Sequence, residues 1–202
     1  MRAAPIYLER NTSTNTKLSV LNKFFKAYGQ NPEELVFYLK DQNRDQDKEE
    51  AGTRYEIRRR YWALALEHIK AAHGTEGSFK NVTTSKQYWI SGAIGISGFN
   101  ITCEAKMNKA AVELVLAKSN RDVNKAAYDY LFERKDVIEA ELGIPLNWWR
   151  FEGKASYVDY NVEGIGINDE TSWTQMAKFH VEWSKKFYDV FVPLLQQWNE
   201  LR

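Results

Sequence analysis

From Gln87 to Lys118 the chain reads "QYWISGAIGISGFNITCEAKMNKAAVELVLAK", and its apolar residues fall on alternate positions, whereas on both sides they recur every three or four residues. Alternation puts successive side chains on opposite faces of a pleated strand, while a spacing of three or four stripes one side of a helix. Parallel strands need a crossover of a dozen or more residues, usually a helix, between them. A block of short strands bracketed by helices, with none inside it, therefore predicts hairpins. The expected fold is α+β: an antiparallel sheet packed by helices.

The details follow from punctuation. Gly95 and Gly98 flank the first turn and Met107 to Ala110 make the second, giving three strands. Upstream, Thr53 and Glu56 form a capping box that opens the helix "RYEIRRRYWALALEHIKAA", which Gly74 ends. Its buried stripe is expected to be Ile57, Tyr61, Leu64, Ala65 and His68, flanked by Trp62 and Ile69. Downstream, "DVNKAAYDYLFERKDVIEAEL" is a long helix capped by Asp122 and stopped by Gly143 and Pro145. "NWWRFEG" and "ASYVDYNV" make a hairpin turning at Gly153-Lys154, and "DETSWTQMAKFHVEWSKKFYDVFVPLLQQW" closes the chain as an amphipathic helix. Pro193 interrupts its bonding at the carbonyl of Asp189. The order from residue 53 is αβββαββα, with about five strands.

The first fifty residues read as a helical appendage with a charged linker, residues 1–50, ahead of the α+β domain at 51–202. "KLSVLNKFFKAYG" places Leu18, Leu21, Phe24, Phe25 and Tyr28 on one stripe, and Asn31 with Pro32 opens a second helix. "DQNRDQDKEEAG" has no apolar residue before Ala51 and is the expected linker.

The hairpin at residues 99–116 carries the chemistry. Phe99, Ile101, Cys103 and Ala105 share one face with Val112, Leu114 and Leu116, while Asn100, Thr102, Glu104, Lys106 and Glu113 share the other. A four-residue turn pairs Glu104 with Glu113. Glu104-Ala105-Lys106 is the E-x-K half of a metal-dependent nuclease motif, so Glu104, Lys106 and Glu113 are the candidate catalytic residues. Such a site needs a further carboxylate from an earlier strand, and from Gly77 to Cys103 there is no Asp or Glu. The simpler expectation is a solvated charged face that binds no metal.

The other candidates are binding residues. Arg54, Arg58, Arg59 and Arg60 cluster on a helix, where they grip phosphate or simply face water. Trp148 and Trp149 sit on one strand and point to opposite sides; one enters the core, and the other, with Tyr88 or Tyr157, builds a stacking surface for a base or a peptide. Cys103 faces inward and, as the single cysteine, excludes disulfides within the chain and zinc sites built from cysteine. The three histidines form no metal motif, and "GAIGISG" links two strands and opens no helix, so it is no phosphate loop. No cofactor is expected. With 28 Lys and Arg against 27 Asp and Glu, the net charge of +1 supplies no global field for nucleic acid. No signal peptide or membrane-length apolar run is visible, which makes the cytoplasm the expected location.

In order and spacing, "YWALALEHI", "QYWISGAIGISGFNITCEA", "AAVELVLA", "LFERKDVIEAELGIPLNWWRF" and "EWSKKFYDVFVPLL" resemble a bacterial domain-of-unknown-function family, the one numbered 4268, from Tyr55 to Leu195. In longer members that domain follows a restriction-endonuclease-like domain, so the resemblance implies an accessory role in defence or DNA processing. The first fifty residues here are too short and too helical to be that nuclease. Together the readings favour a non-catalytic binding module that meets a protein partner or a second copy of itself, with nucleic acid as a further candidate and no membrane. The alternative is a divalent-metal hydrolase built on Glu104, Glu113 and Lys106.

Overall fold

A computed structural model describes residues 32–74 and 77–201, with side chains from Gly52 onward. The chain divides into two compact units, Met1–Thr53 and Arg54–Arg202. The helix expected at Lys17 to Gly29, and the Asn31 cap, lie outside the described residues.

Helix α1 spans Pro32–His73, so Asp41 to Gly52, the segment expected as a linker, is helical. The Gln, Arg, Lys, Glu and Ala of this segment favour helix, although Asp41, Asn43, Asp45, Asp47 and Gly52 do not. Thr53 consequently lies inside the helix and not at its start. The buried stripe is Tyr61, Trp62, Ala65, Leu66 and Ile69, while Leu64 and His68 are exposed. It follows paired i, i+4 rows, one residue round from the expected stripe. Gly74 ends the helix with φ 74°, as its position predicts.

Five strands follow: β1 (Trp89–Ala93), β2 (Phe99–Ala105), β3 (Lys109–Leu116), β4 (Asn147–Trp149) and β5 (Ser156–Glu163). They form one antiparallel sheet in the order β1-β2-β3-β5-β4. Between β3 and β4 lie α2 (Arg121–Phe132) and α3 (Lys135–Leu142); after β5 come a 3-10 turn (Glu170–Ser172) and α4 (Trp173–Glu200). The class is α+β, and the order is αβββααββα.

The extra helix arises where one long helix was expected. Asn120, and not Asp122, caps α2, its side chain accepting from the amides of Asp122 and Val123. At the break the Arg134 guanidinium donates to the Tyr130 carbonyl at 2.8 Å and lies 3.7 Å from the Tyr130 ring centre. That carbonyl is the one an unbroken helix would offer to the Arg134 amide, which bonds Leu131 instead. Gly143, with φ 73°, closes α3 as expected.

Alternation assigns the faces of the β2–β3 hairpin correctly, but the register is shifted by two residues. Ala105 pairs with Ala110, Cys103 with Val112, Glu104 with Ala111 and Thr102 with Glu113. The Lys106 amide bonds the Lys109 carbonyl at 2.9 Å, so only Met107 and Asn108 form the turn. A shift of two preserves every face, and therefore the pattern of apolar residues alone could not detect it.

Helices α2 and α4 pack on the face carrying Ile90, Ile101, Cys103, Val112, Leu114 and Val158. His180 of α4 is fully buried and joins three elements. Its Nε2 lies 3.0 Å from the Glu104 carbonyl, which can only accept, so Nδ1 accepts the Tyr61 hydroxyl at 2.6 Å. Pro193 lies inside α4 on its exposed side. Among the described residues no helix is long and apolar enough to cross a membrane.

Candidate functional site

The second face of the sheet is polar. One rung crosses all five strands and carries Ser91, Thr102, Glu113, Asp159 and Asn147. On one side of it runs Trp89, Glu104, Ala111 and Asn161; on the other, Ala93, Asn100, Val115, Tyr157 and Trp149. Glu113 sits on the central strand, Asp159 directly opposite it on β5, and Glu104 diagonally across on β2. Small side chains surround Glu113, and the large rings lie at the margins.

The three carboxylates are satisfied unequally. Asp159 is buried and accepts from Trp149 Nε1 at 2.6 Å, Asn161 Nδ2 at 2.9 Å and Asn147 Nδ2 at 3.0 Å. Glu104 is also buried. Lys106 Nζ lies 2.6 Å from its Oε2 as an ion pair, yet that oxygen has no partner in hydrogen-bond geometry. Glu113 has neither hydrogen bond nor ion pair among the described residues. Burial, then the charges of Glu104 and Asp159, push its carboxyl up to about 7 against the pull of Lys106 and Lys109.

Asp159 is the further carboxylate that the E-x-K reading lacked, supplied by a later strand. Glu104, Lys106 and Glu113 do share one face, but Asp159 already accepts three N–H donors and the Lys106 ammonium stands against Glu104 Oε2. Among the described residues no group of three or more Asp, Glu, His or Cys is placed to hold a metal ion.

The aromatic margin is built with care for position. Trp149 is 45% exposed and Phe151 54%, their rings stacked at 5.8 Å and 10°, with Tyr157 edge-on to Phe151 at 5.9 Å. Phe151 has φ 41°, a left-handed conformation that costs a bulky residue of order 1–3 kcal/mol. The loop is tied from beneath. Buried Lys125 Nζ donates to the carbonyls of Arg150 and Ala155 and to Ser156 Oγ, and buried Asn124 holds the Lys118 and Lys154 carbonyls. Arg150 is fixed by a two-point ion pair to Asp129. At the opposite margin Trp89 and Tyr88 are exposed.

Of the tryptophan pair, Trp148 faces the helices, edge-on to Tyr128, Phe132 and Phe191, with its Nε1 donating to Glu139. Trp149 is the outward one, and Tyr157 rather than Tyr88 is its neighbour. Of the arginines, Arg60 makes a two-point pair with Glu170, and Arg58 donates to the Lys86 carbonyl and lies over Tyr88. Arg54 and Arg59 are exposed on α1. His73 bonds Ser184, and burial pushes its pKa down to about 4, so it offers no positive charge to the end of α1. Burial raises the Cys103 thiol well above its ordinary range, which makes it a poor nucleophile.

Sequence reasoning missed Asp159, Asn147, Asn161 and Phe151. The alternation of "SYVDYNV" does place Tyr157, Asp159 and Asn161 on one face; what it could not supply was the pairing of β5 with β3.

These features define an α+β domain whose sheet packs helices on one face and presents carboxylates framed by rings on the other. The chain belongs to the family described as Domain of unknown function (DUF4268), which matches residues 57–195. No curated protein and no solved structure gives a significant match.

Proposed function

We propose that this chain is a non-catalytic binding module that docks a protein partner on the polar face of its sheet. The observation that carries the reading is the outward cluster of Trp149, Phe151 and Tyr157, kept in a strained backbone beside a carboxylate without a partner. Large rings are normally buried for the energy they return, and strain persists where surrounding structure imposes it. A buried lysine, a buried asparagine and an ion pair impose it here. The family resemblance supplies the context: a bacterial nuclease-type partner, with this domain as its accessory in defence or DNA processing. The carboxylates repel phosphate, so nucleic acid meets this chain, if at all, through Arg54 and Arg59.

The runner-up is a divalent-metal hydrolase on Glu104, Glu113 and Lys106, favoured by Asp159 standing on the same rung as Glu113. Melting the protein with added Mg²⁺ or Mn²⁺, alongside incubation with single- and double-stranded nucleic acid, separates the two. The binding reading expects an unchanged melting temperature and intact substrate. A metal-dependent rise that Glu113→Gln abolishes, accompanied by cleavage, overturns it.

A further inference from the structure

A cation already sits against a carboxylate and a ring on this face. Lys106 Nζ lies 2.6 Å from Glu104 Oε2 and 5.7 Å from the centre of the Tyr88 ring. Toward the other margin the same components recur, Glu113 and Asp159 with Trp149 and Tyr157, and among the described residues no cation forms an ion pair with Glu113. We propose that this vacant half binds an arginine side chain of a protein partner, its guanidinium set against Glu113 and stacked on the rings of the Trp149 group. The inference rests on the binding reading and names the chemistry of what is bound.

Charge decides the sign of the ligand. Glu104, Glu113 and Asp159 share this face with two lysines, Lys106 and Lys109, at its turn end, which leaves an excess of negative charge in a partly dry setting. Anions and phosphate backbones are repelled, and a cation set against Glu113 offsets the burial and the repulsion that together raise its carboxyl.

Geometry decides among cations. A divalent metal needs several oxygens converging on one point, and the Asp159 oxygens are taken by three N–H donors. A guanidinium needs less: one carboxylate for its planar fork and a flat ring for its face. Lysine satisfies the charge but stacks less well, being a compact and strongly hydrated ammonium. Trp149 is also oriented in advance, since its indole N–H is held by Asp159, and Phe151 is stacked against it by the strained loop. A platform fixed before binding loses little freedom on binding.

The test is an NMR titration of the ¹⁵N-labelled chain with a blocked Gly-Arg-Gly-Arg-Gly peptide, its lysine form, and its citrulline form, which keeps the shape and lacks the charge. The proposal expects the arginine peptide to move the Trp149 indole N–H and the amides around Glu113 and Asp159. Glu113→Gln and Phe151→Gly should each weaken it about tenfold or more, and Glu182→Gln, which removes one exposed carboxylate from α4, should leave it unchanged. Equal binding of the citrulline form overturns the proposal, as do equal losses in Glu113→Gln and Glu182→Gln. A benzophenone crosslinker at Tyr157, used in the cell of origin, separates this failure from failure of the binding reading. A single crosslinked partner that the arginine peptide does not displace refutes arginine recognition alone, whereas no crosslink and no peptide shift refute both.

Discussion

Glu113 stands directly opposite Asp159 across the β3–β5 ladder, with Glu104 one diagonal away on β2. Burial disfavours the ionised form of Glu113, and like charges paired this way, which normally destabilise a sheet, add to that cost. Its carboxyl, ordinarily near 4.5, is raised to about 7 in the folded protein. The folded chain therefore holds a proton that the unfolded chain releases. Stability is greatest below the ordinary value and declines as pH rises toward 7.

Glu113→Gln removes that decline. After allowance for partial exposure, the variant should be more stable than the parent by on the order of 1–2 kcal/mol at about pH 8, and nearly equal at about pH 4.5. Urea unfolding of both proteins across that range measures the difference. A carboxylate that structure alone required would show the reverse.

His180 gives the opposite slope. Burial lowers its pKa from 6.5 to about 4, so the unfolded chain takes up a proton first as pH falls. Its contribution is complete above about 6.5 and disappears toward 4, worth roughly 3 kcal/mol, and His73 adds in the same direction. The two slopes overlap, so the histidine contribution is best followed in Glu113→Gln above about pH 4.5, before the lowered Asp129 and Glu139 carboxyls add to acid unfolding. His180→Phe should flatten the remaining slope. It should also cost about 2–4 kcal/mol at neutral pH, because the Glu104 carbonyl loses its donor and the Tyr61 hydroxyl its acceptor.

Lys125 holds the loop that presents the rings. Lys125→Met strips donors from the carbonyls of Arg150 and Ala155 and from Ser156 Oγ, and should cost about 2–4 kcal/mol in urea unfolding. Tryptophan emission should shift with it, because Trp149 loses its support. Loss of stability with unchanged emission would mean that the loop is held by Asn124 and Arg150 without it.

Phe151→Gly separates strain from function. Glycine adopts φ 41° freely, which recovers about 1 kcal/mol, against a similar loss from the ring stacked on Trp149. The net change in stability should lie within about 0.5 kcal/mol of zero. A large destabilisation would show Phe151 to be a packing residue.

The sequence was most informative where a pattern must repeat. Period-two alternation located β1, β2 and β3 and assigned Cys103 and Glu104 to opposite faces. Gly74 and Gly143 closed helices because left-handed backbone favours glycine. It was least informative where two solutions bury the same residues. A hairpin register slipped by two keeps Val112 and Leu114 inward, so Glu104 opposite Ala111 and Glu104 opposite Glu113 could not be told apart. The break at Glu133-Arg134 carries no Gly or Pro and depends on a side chain competing for the Tyr130 carbonyl. Asp159 escaped notice because its place beside Glu113 depends on β5 pairing with β3, across the intervening helices and strand between Leu116 and Ser156. Local pattern supplied the faces of the strands, and only tertiary pairing supplied the acidic rung.

The central claim is that this acidic rung is a contact surface and not a metal centre. Paramagnetic broadening by substoichiometric Mn²⁺ in the ¹⁵N spectrum tests it most directly, since the ion erases signals close to wherever it settles. The account predicts weak, scattered loss at exposed carboxylates such as Glu182 and Glu200, with the amides from Ala111 to Val115 and from Tyr157 to Asn161 retained. Selective loss of those central amides, restored by Glu113→Gln, would contradict it.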